Sequence, residues 1–160
     1  MSGGYKNRDF TEAEERQDYA NEQAIAKQLA VSWQCEMEKQ PKFATFDYIA
    51  KRDKAILAFV EVRKRSHKIN AFPDVYINLK KLLEARLLES ATDTKCLFVV
   101  QFVDCLAYCR LNKKLQLIKS TGGWKRRNPN DVEEVALIPI SQFQKIHCAG
   151  PRSLSQANQR

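Results

Sequence analysis

"KFATFDYIAKRDKAILAFVEVRKRSHK", residues 42–68, is the stretch whose reading decides the fold of this chain. It reads as a β-hairpin, with a first strand over about Thr45–Ala50, Arg52-Asp53 in the turn, and a longer strand from about Lys54 to Lys64. Alternation along the second strand sends Ile56, Ala58, Val60 and Val62 to one side and Leu57, Phe59, Glu61 and Arg63 to the other. Both sides are apolar as far as Glu61, the pattern of a strand covered on two faces. Glu61 and Arg63 then leave the same face, where the apolar run stops and Arg63, Lys64, Arg65, His67 and Lys68 crowd together. Such an end is either a solvated strand terminus or a carboxylate set beside cations for chemistry on an anion.

Upstream, the residues from Thr11 to about Gln40 read as one long helix that Pro41 ends. Thr11 can cap it, and Glu12, Glu14 and Glu15 suit its positive N-terminal end. Ile25, Ala26, Leu29 and Trp33 form its apolar face, and Glu22 falls on that face one turn earlier. An acid there needs to be near a terminus, paired, or holding a metal. Downstream, a basic loop over residues 65–72 precedes a second helix, from near Asp74 or Asn78 to Ser90, with Leu79, Leu82, Leu83, Ala85 (or the Arg86 stem) and Leu87 inward. "CLFVVQFVDCLAYCRL" (96–111) reads as a strand to about Phe102, a break near Asp104 and a second strand through Arg110. A short strand over Lys114–Lys119, the loop "TGGWKRRNPND" (121–131) and a strand "VEEVALIPI" (132–140) follow, and Ser141 is placed to cap a turn of helix. Residues 1–10 and 149–160 read as disordered tails around one domain at 11–148. The order of elements predicts an α/β fold, a mixed central β-sheet flanked by helices.

At 160 residues, with 44% hydrophobic and 29% charged residues, the chain suits a single globular domain with a real core. No apolar run approaches the roughly 20 residues that span a bilayer, so no membrane partner is expected. The first residues carry no apolar signal region, which places the chain in the cytoplasm, or inside a host cell if it is phage-encoded. The net charge of +8 is uneven: residues 1–40 carry five cations against eight acids, and residues 51–81 nine cations against three acids. A basic block inside a folded segment points to a polyanion such as nucleic acid, with a solvated basic face as the alternative. Cys35, Cys96, Cys105, Cys109 and Cys148 read as reduced, small hydrophobes. Cys105 and Cys109, with His147 and Cys148 far downstream, match no standard zinc spacing.

Asp47 in the first strand and Glu61 in the second can face each other across the hairpin, near one end of the sheet. Two carboxylates so placed, with a main-chain carbonyl such as that of Val62, are the donors that Mg²⁺ (or Mn²⁺) takes, with waters and a phosphate completing the shell. Such an ion polarises a phosphodiester and lowers the pKa of its bound water. Lys64, Arg65, His67, Lys68 and Lys80 could then grip the backbone of a nucleic acid, while Trp124 stacks on a base beside Lys125, Arg126 and Arg127. For Trp124, an ordinary hydrophobic anchor beside a solvated loop explains the residues equally well.

"FDYIA" (46–50), with "FVEVRKR" (59–65) placing Glu61 fourteen residues after Asp47, resembles the signature of the PD-(D/E)XK nuclease superfamily, which has the restriction-endonuclease-like fold. "NEQAIAKQLA" (21–30), "FPDVYINLKKLLEARLL" (72–88), "CLFVVQFVDCLAY" (96–108) and "GGWKRRNPNDVEEVALIPISQF" (122–143) extend the resemblance in order over roughly residues 18–146, toward small phage-encoded members. It implies an αβββαβ core and a Mg²⁺-dependent nuclease acting on DNA, with Asp47 and Glu61 as metal ligands and Glu22 as an auxiliary acid. It also leaves a homodimer open, since many nucleases of this fold pair to cut both strands.

The third motif position, usually Lys, is Arg63 here. Arginine stays protonated, so it serves to hold water or stabilise charge rather than as a base. Within the superfamily the lysine can migrate to the following helix, where Lys81, and less well Lys80, is placed. The plainer readings remain: Asp47 paired with Lys51, Arg52 or Arg63; Glu61 as an ion-paired strand end; Glu22 as a helix-surface acid; and Lys81 as a solvated lysine. Because Arg63 replaces the lysine, a catalytically inactive nucleic-acid-binding module on the same fold is the second functional reading. A protein that presents its basic patch to an acidic partner is the third.

Overall fold

The computed structural model describes residues 12–119, 124–125 and 132–146. The tails at 1–10 and 149–160, Thr11, Arg126, Arg127, His147 and Cys148, and the side chains of Trp124 and Lys125, lie outside the described residues. Among the described residues, no helix is long and apolar enough to cross a membrane.

Helix α1 (Glu12–Trp33) leads into strands β1 (Glu36–Lys39), β2 (Tyr48–Arg52), β3 (Ala55–Lys64) and β4 (Asp74–Asn78). Helix α2 (Leu79–Thr92) follows, then β5 (Lys95–Gln101) and β6 (Leu106–Arg110). The short strands β7 (Ile118–Lys119), β8 (Trp124–Lys125) and β9 (Val132–Glu133) precede β10 (Val135–Pro139) and β11 (Gln144–Ile146). The central sheet runs β1-β2-β3-β5-β6-β11. It is mixed, because β3 and β5 pair in parallel while their outer neighbours pair antiparallel. The αβββαβ order is present, with β4 inserted before α2.

Both faces of this sheet are covered. Ile25, Ala26, Leu29 and Trp33 of α1 pack on Ala58, Val60, Val62, Leu97 and Val99. On the opposite face Leu82 and Ala85 of α2, with Val75 and Ile77 of β4 and Ala136 and Ile138 of β10, pack on Phe98, Val100 and Phe102. The double-sided run in β3 is therefore the middle of the molecule, and its far end carries Glu61 into the layer beneath α2.

Several boundaries differ from the sequence expectation. The first helix stops at Trp33 rather than near Gln40. Gln34 takes φ 52°, and the amides of Gln34 and Cys35 donate back to Val31 O (3.4 Å) and Ala30 O (3.1 Å), a left-handed helix ending. From the end of β2, Arg52 donates through Nη2 to Trp33 O (2.6 Å) and through Nε to Gln34 O (3.0 Å). A cation on the last carbonyls meets the negative end of the helix dipole. Residues 36–39 then leave as an edge strand, with Glu36 opposite Lys51. The hairpin turn falls on Asp53 and Lys54, at φ 49° and 66°, leaving Arg52 and Ala55 as the closing pair. Strand β2 begins at Tyr48, so Asp47 stands just before it.

Asp74–Asn78, allowed for as a helix start, is a strand, because β10 pairs with it along its whole length. On α2, Leu83 and Leu87 are exposed, while Leu79 and Leu88 pack beside Leu82 and Ala85. Of residues 114–119 only Ile118–Lys119 is strand. Ser141 sits inside the 3₁₀ turn Ile140–Gln142, with Pro139 at the cap position. The stretch after it pairs with β6 as β11, an element without a sequence signal.

Candidate active site

The hairpin register sets the geometry. Tyr48 pairs with Val60, so one step further along the two chains Asp47 comes level with the end of β3. Its Oδ2 accepts from Val62 N (3.0 Å), which ties the carboxylate to the strand that carries Glu61. Glu61 points to the α2 face, is only 1% exposed, and neighbours Phe98 on β5. A carboxylate at that depth is costly unless cations or a metal answer it.

Two cations do. Arg63 Nη2 forms an ion pair with Glu61 Oε1, and Lys81 Nζ lies 3.3 Å from Oε2. Neither meets its oxygen along a good hydrogen-bond direction, so both oxygens lack a well-formed hydrogen bond among the described residues. Lys81 reaches the carboxylate because Asn78 starts α2 there: its Oδ1 accepts from Lys80 N (2.8 Å) and Lys81 N (3.3 Å). The Lys81 ammonium also donates to Thr45 O and lies 5.5 Å from the centre of the Phe46 ring. It thus clamps the segment before Asp47 onto Glu61. Asn78→Ala should cost about 1 kcal/mol of stability, measurable by urea unfolding. An unchanged midpoint would mean that the cap does not hold the first turn of α2.

Arg63 has further contacts: its Nη1 lies 3.3 Å from Asp47 Oδ2 and donates to Val62 O at 2.8 Å. The two acids, the Val62 carbonyl and Arg63 are therefore brought together. Glu22 is not among them. It pairs with Lys39 Nζ at 2.7 Å and lines a groove of about 240 Å³ with Asp18, Asn21, Ile25, Val62, Arg63 and Lys64. No cluster of three or more His, Cys, Asp or Glu suited to a metal occurs among the described residues. Among the described residues, Asp47 and Glu61 are the acids that contact Arg63 at this strand end.

Burial pushes the Glu61 carboxyl up from its ordinary 4.5; Arg63 pulls it back, the Asp47 charge adds to the rise, and Lys81 pulls it back again. The folded chain therefore holds this proton more tightly than the unfolded one. That contribution to stability is complete below about pH 4.5 and is lost as pH rises through the folded value. Measured in EDTA, the melting temperature of Glu61→Gln minus that of the wild type should increase from acid to neutral pH. A pH-independent difference would show that Glu61 is not held in this way.

A second cleft, of about 100 Å³, opens beside Glu61 and is lined by Arg63, Arg65, Tyr76, Ile77, Asn78, Lys81, Phe98 and Val135. Arg65 stacks over Tyr76, 4.7 Å from its ring centre. Tyr76 and the Thr45 carbonyl were missed by the sequence reading, because only the pairing of β4 with β10 and the fold of α2 bring them here. Lys64 Nζ lies 3.5 Å from Asn21 Oδ1 on the α1 side. Lys68 and Lys80 are exposed. His67 is half-buried, its ring edge-on to the exposed Phe72 at 4.8 Å and against Phe102 at 5.7 Å, with Nδ1 donating to Lys68 O (2.9 Å).

The donor chemistry fits a hard divalent cation: two carboxylates and a main-chain carbonyl, all oxygen, with buried carboxylate oxygens that lack well-directed hydrogen bonds. Among solved structures, the chain is similar to Hjc, a Holliday junction resolvase from the archaeal hyperthermophile Archaeoglobus fulgidus, at 11% identity and TM-score 0.47, over 82% of this chain and 88% of that one. No curated protein matches the chain. The family described as "Phage putative PDDEXK endonuclease" matches residues 8–146, which take in both α-helices and the strands of the described residues, with Glu22, Asp47, Glu61, Arg63 and Lys81 among them. The chain belongs to that family.

Proposed function

We propose that this protein is a divalent-metal-dependent nuclease that hydrolyses phosphodiester bonds in DNA. The observation that carries the reading is a fully buried carboxylate, Glu61, at the end of a two-faced strand, with Asp47 tied to the same strand end. Asp47, Glu61 and the Val62 carbonyl would hold Mg²⁺ or Mn²⁺, which when bound supplies positive charge to the phosphate and an acidified water. Lys81 is fixed by Thr45 O and the first turn of α2, so it offers a preorganised positive charge beside the reacting phosphate. Arg63 is permanently protonated and offers a planar fork to phosphate oxygens. Lys64, Arg65, Lys68 and Lys80 would contact the flanking backbone, whereas the ring contacts of His67 with Phe72 and Phe102 favour a structural role for it.

A second reading, a nucleic-acid-binding module that does not cut, is favoured by the Arg63 guanidinium lodged between Asp47 and Glu61. Incubation with plasmid and single-stranded DNA in Mg²⁺, Mn²⁺ or EDTA separates the two. Metal-dependent cutting supports the first, while binding by a folded protein that never cuts supports the second. In either case binding should weaken steeply with salt, by about 0.9 in log K per log unit of salt for each phosphate contacted on duplex DNA. A folded protein that binds no DNA even at low salt would instead favour a protein partner.

A further inference from the structure

We propose that Arg63 is a displaceable internal cation. Its guanidinium holds the three oxygens that a divalent ion would take, so metal binding expels it toward the substrate phosphate, and metal and DNA bind cooperatively. The inference rests on the metal-nuclease reading and adds a coupling between metal and substrate.

The geometry is specific. One guanidinium reaches Asp47 Oδ2 (3.3 Å) and Val62 O (2.8 Å) through Nη1, and Glu61 Oε1 through Nη2. The planar fork meets the three oxygens with two nitrogens set in a fixed geometry, which an ammonium does not offer. With Lys81 on Glu61 Oε2, two cations already balance the two carboxylates. A divalent ion entering beside both would meet like charge at close range, so one cation has to leave.

The two cations differ in how firmly they are held. The Lys81 side chain is 21% exposed and tied down by Thr45 O and the face of Phe46. The Arg63 side chain is 42% exposed and lines both the cleft beside Glu61 and the groove beside Glu22 and Lys64, so it has open space on two sides. Arg63 is therefore the group that moves. Once released, its charge and paired donors are free for a phosphate oxygen pair, a geometry that guanidinium matches better than ammonium. A phosphate on Arg63 in turn draws it off the carboxylates and opens them to metal, as reciprocity requires. A purely structural Arg63, one that organises the ligands, makes the opposite prediction: its loss should weaken metal binding.

The test is Mn²⁺ binding to the full chain, read from the resonance signal of free Mn²⁺, with and without a short phosphorothioate duplex whose own Mn²⁺ uptake is subtracted. Arg63→Gln should bind Mn²⁺ about tenfold more tightly than the wild type, and the duplex should raise Mn²⁺ affinity about tenfold in the wild type but little in the variant. Lys81 remains to pair Glu61 in that variant. Should it nonetheless misfold, Arg63→Lys retains the charge but not the fork, and should bind Mn²⁺ severalfold more tightly than the wild type. Equal or weaker Mn²⁺ binding by the Arg63 variants, with binding still abolished by Asp47→Asn, overturns the inference and leaves the nuclease reading standing. Mn²⁺ binding by none of these proteins overturns both.

Discussion

Asp47→Asn should abolish metal-dependent DNA cleavage, lowering the rate by about 10³-fold or more, while the protein remains folded. The loss follows from the proposed metal site, which would lose one of its two carboxylates and with it several kcal/mol of charge stabilisation, each 1.36 kcal/mol being tenfold. The fold survives because asparagine keeps an oxygen at the position of Oδ2, which accepts from Val62 N at 3.0 Å and fixes the entry to β2 against β3. Cleavage assays paired with circular dichroism check both halves. A folded Asp47→Asn protein that cuts at the wild-type rate would remove Asp47 from the chemistry.

Neutralising both Arg63 and Lys81 as glutamines should destabilise the protein by about 3 kcal/mol, roughly 10 °C in melting temperature for a chain of this size. The reason is Glu61, which is 1% exposed and has both cations as its ion-pair partners. Stripping a buried carboxylate of all its partners costs about 3–5 kcal/mol, and the lower end applies because the Arg63 side chain is 42% exposed to screening water. Each single variant should cost far less, because the other cation remains; the double variant should exceed the sum of the singles. Adding Glu61→Gln to the pair should restore most of the loss. Additive singles, or a triple variant as unstable as the double, would show that the two cations do not stabilise Glu61 together.

Much of the fold is legible in local patterns. The apolar run on both sides of β3 announces a central strand, and Lys95–Gln101 shows the same continuous burial. An Asx side chain marks the start of α2 because it satisfies amides that the helix cannot, but local pattern leaves Asp74 and Asn78 both eligible, and Asn78 is the one used. That Asp47 and Glu61 lie near each other could be expected from the hairpin, but bringing them level takes the turn at Asp53–Lys54 and the register shift between Ala50 and Lys51. These are properties of short stretches, set by steric alternation and by donors within a few residues.

Other features depend on residues that are distant in sequence. The end of α1 depends on Arg52 capping the carbonyls of Trp33 and Gln34, and the strand character of Glu36–Lys39 on pairing with β2. Asp74–Asn78 is a strand because β10 lies beside it, and the buried stripe of α2 is the one that this pairing turns toward Phe98. The site divides along the same line. Its acids, and the substitution of arginine at 63, belong to the sequence, because they are set by identity and hairpin spacing. The depth of Glu61, the clamp of Lys81 on Thr45 and the seat of Arg63 across three oxygens were decided by the tertiary structure, because desolvation and ion-pair geometry arise only when β3, the segment before β2 and the first turn of α2 are packed together.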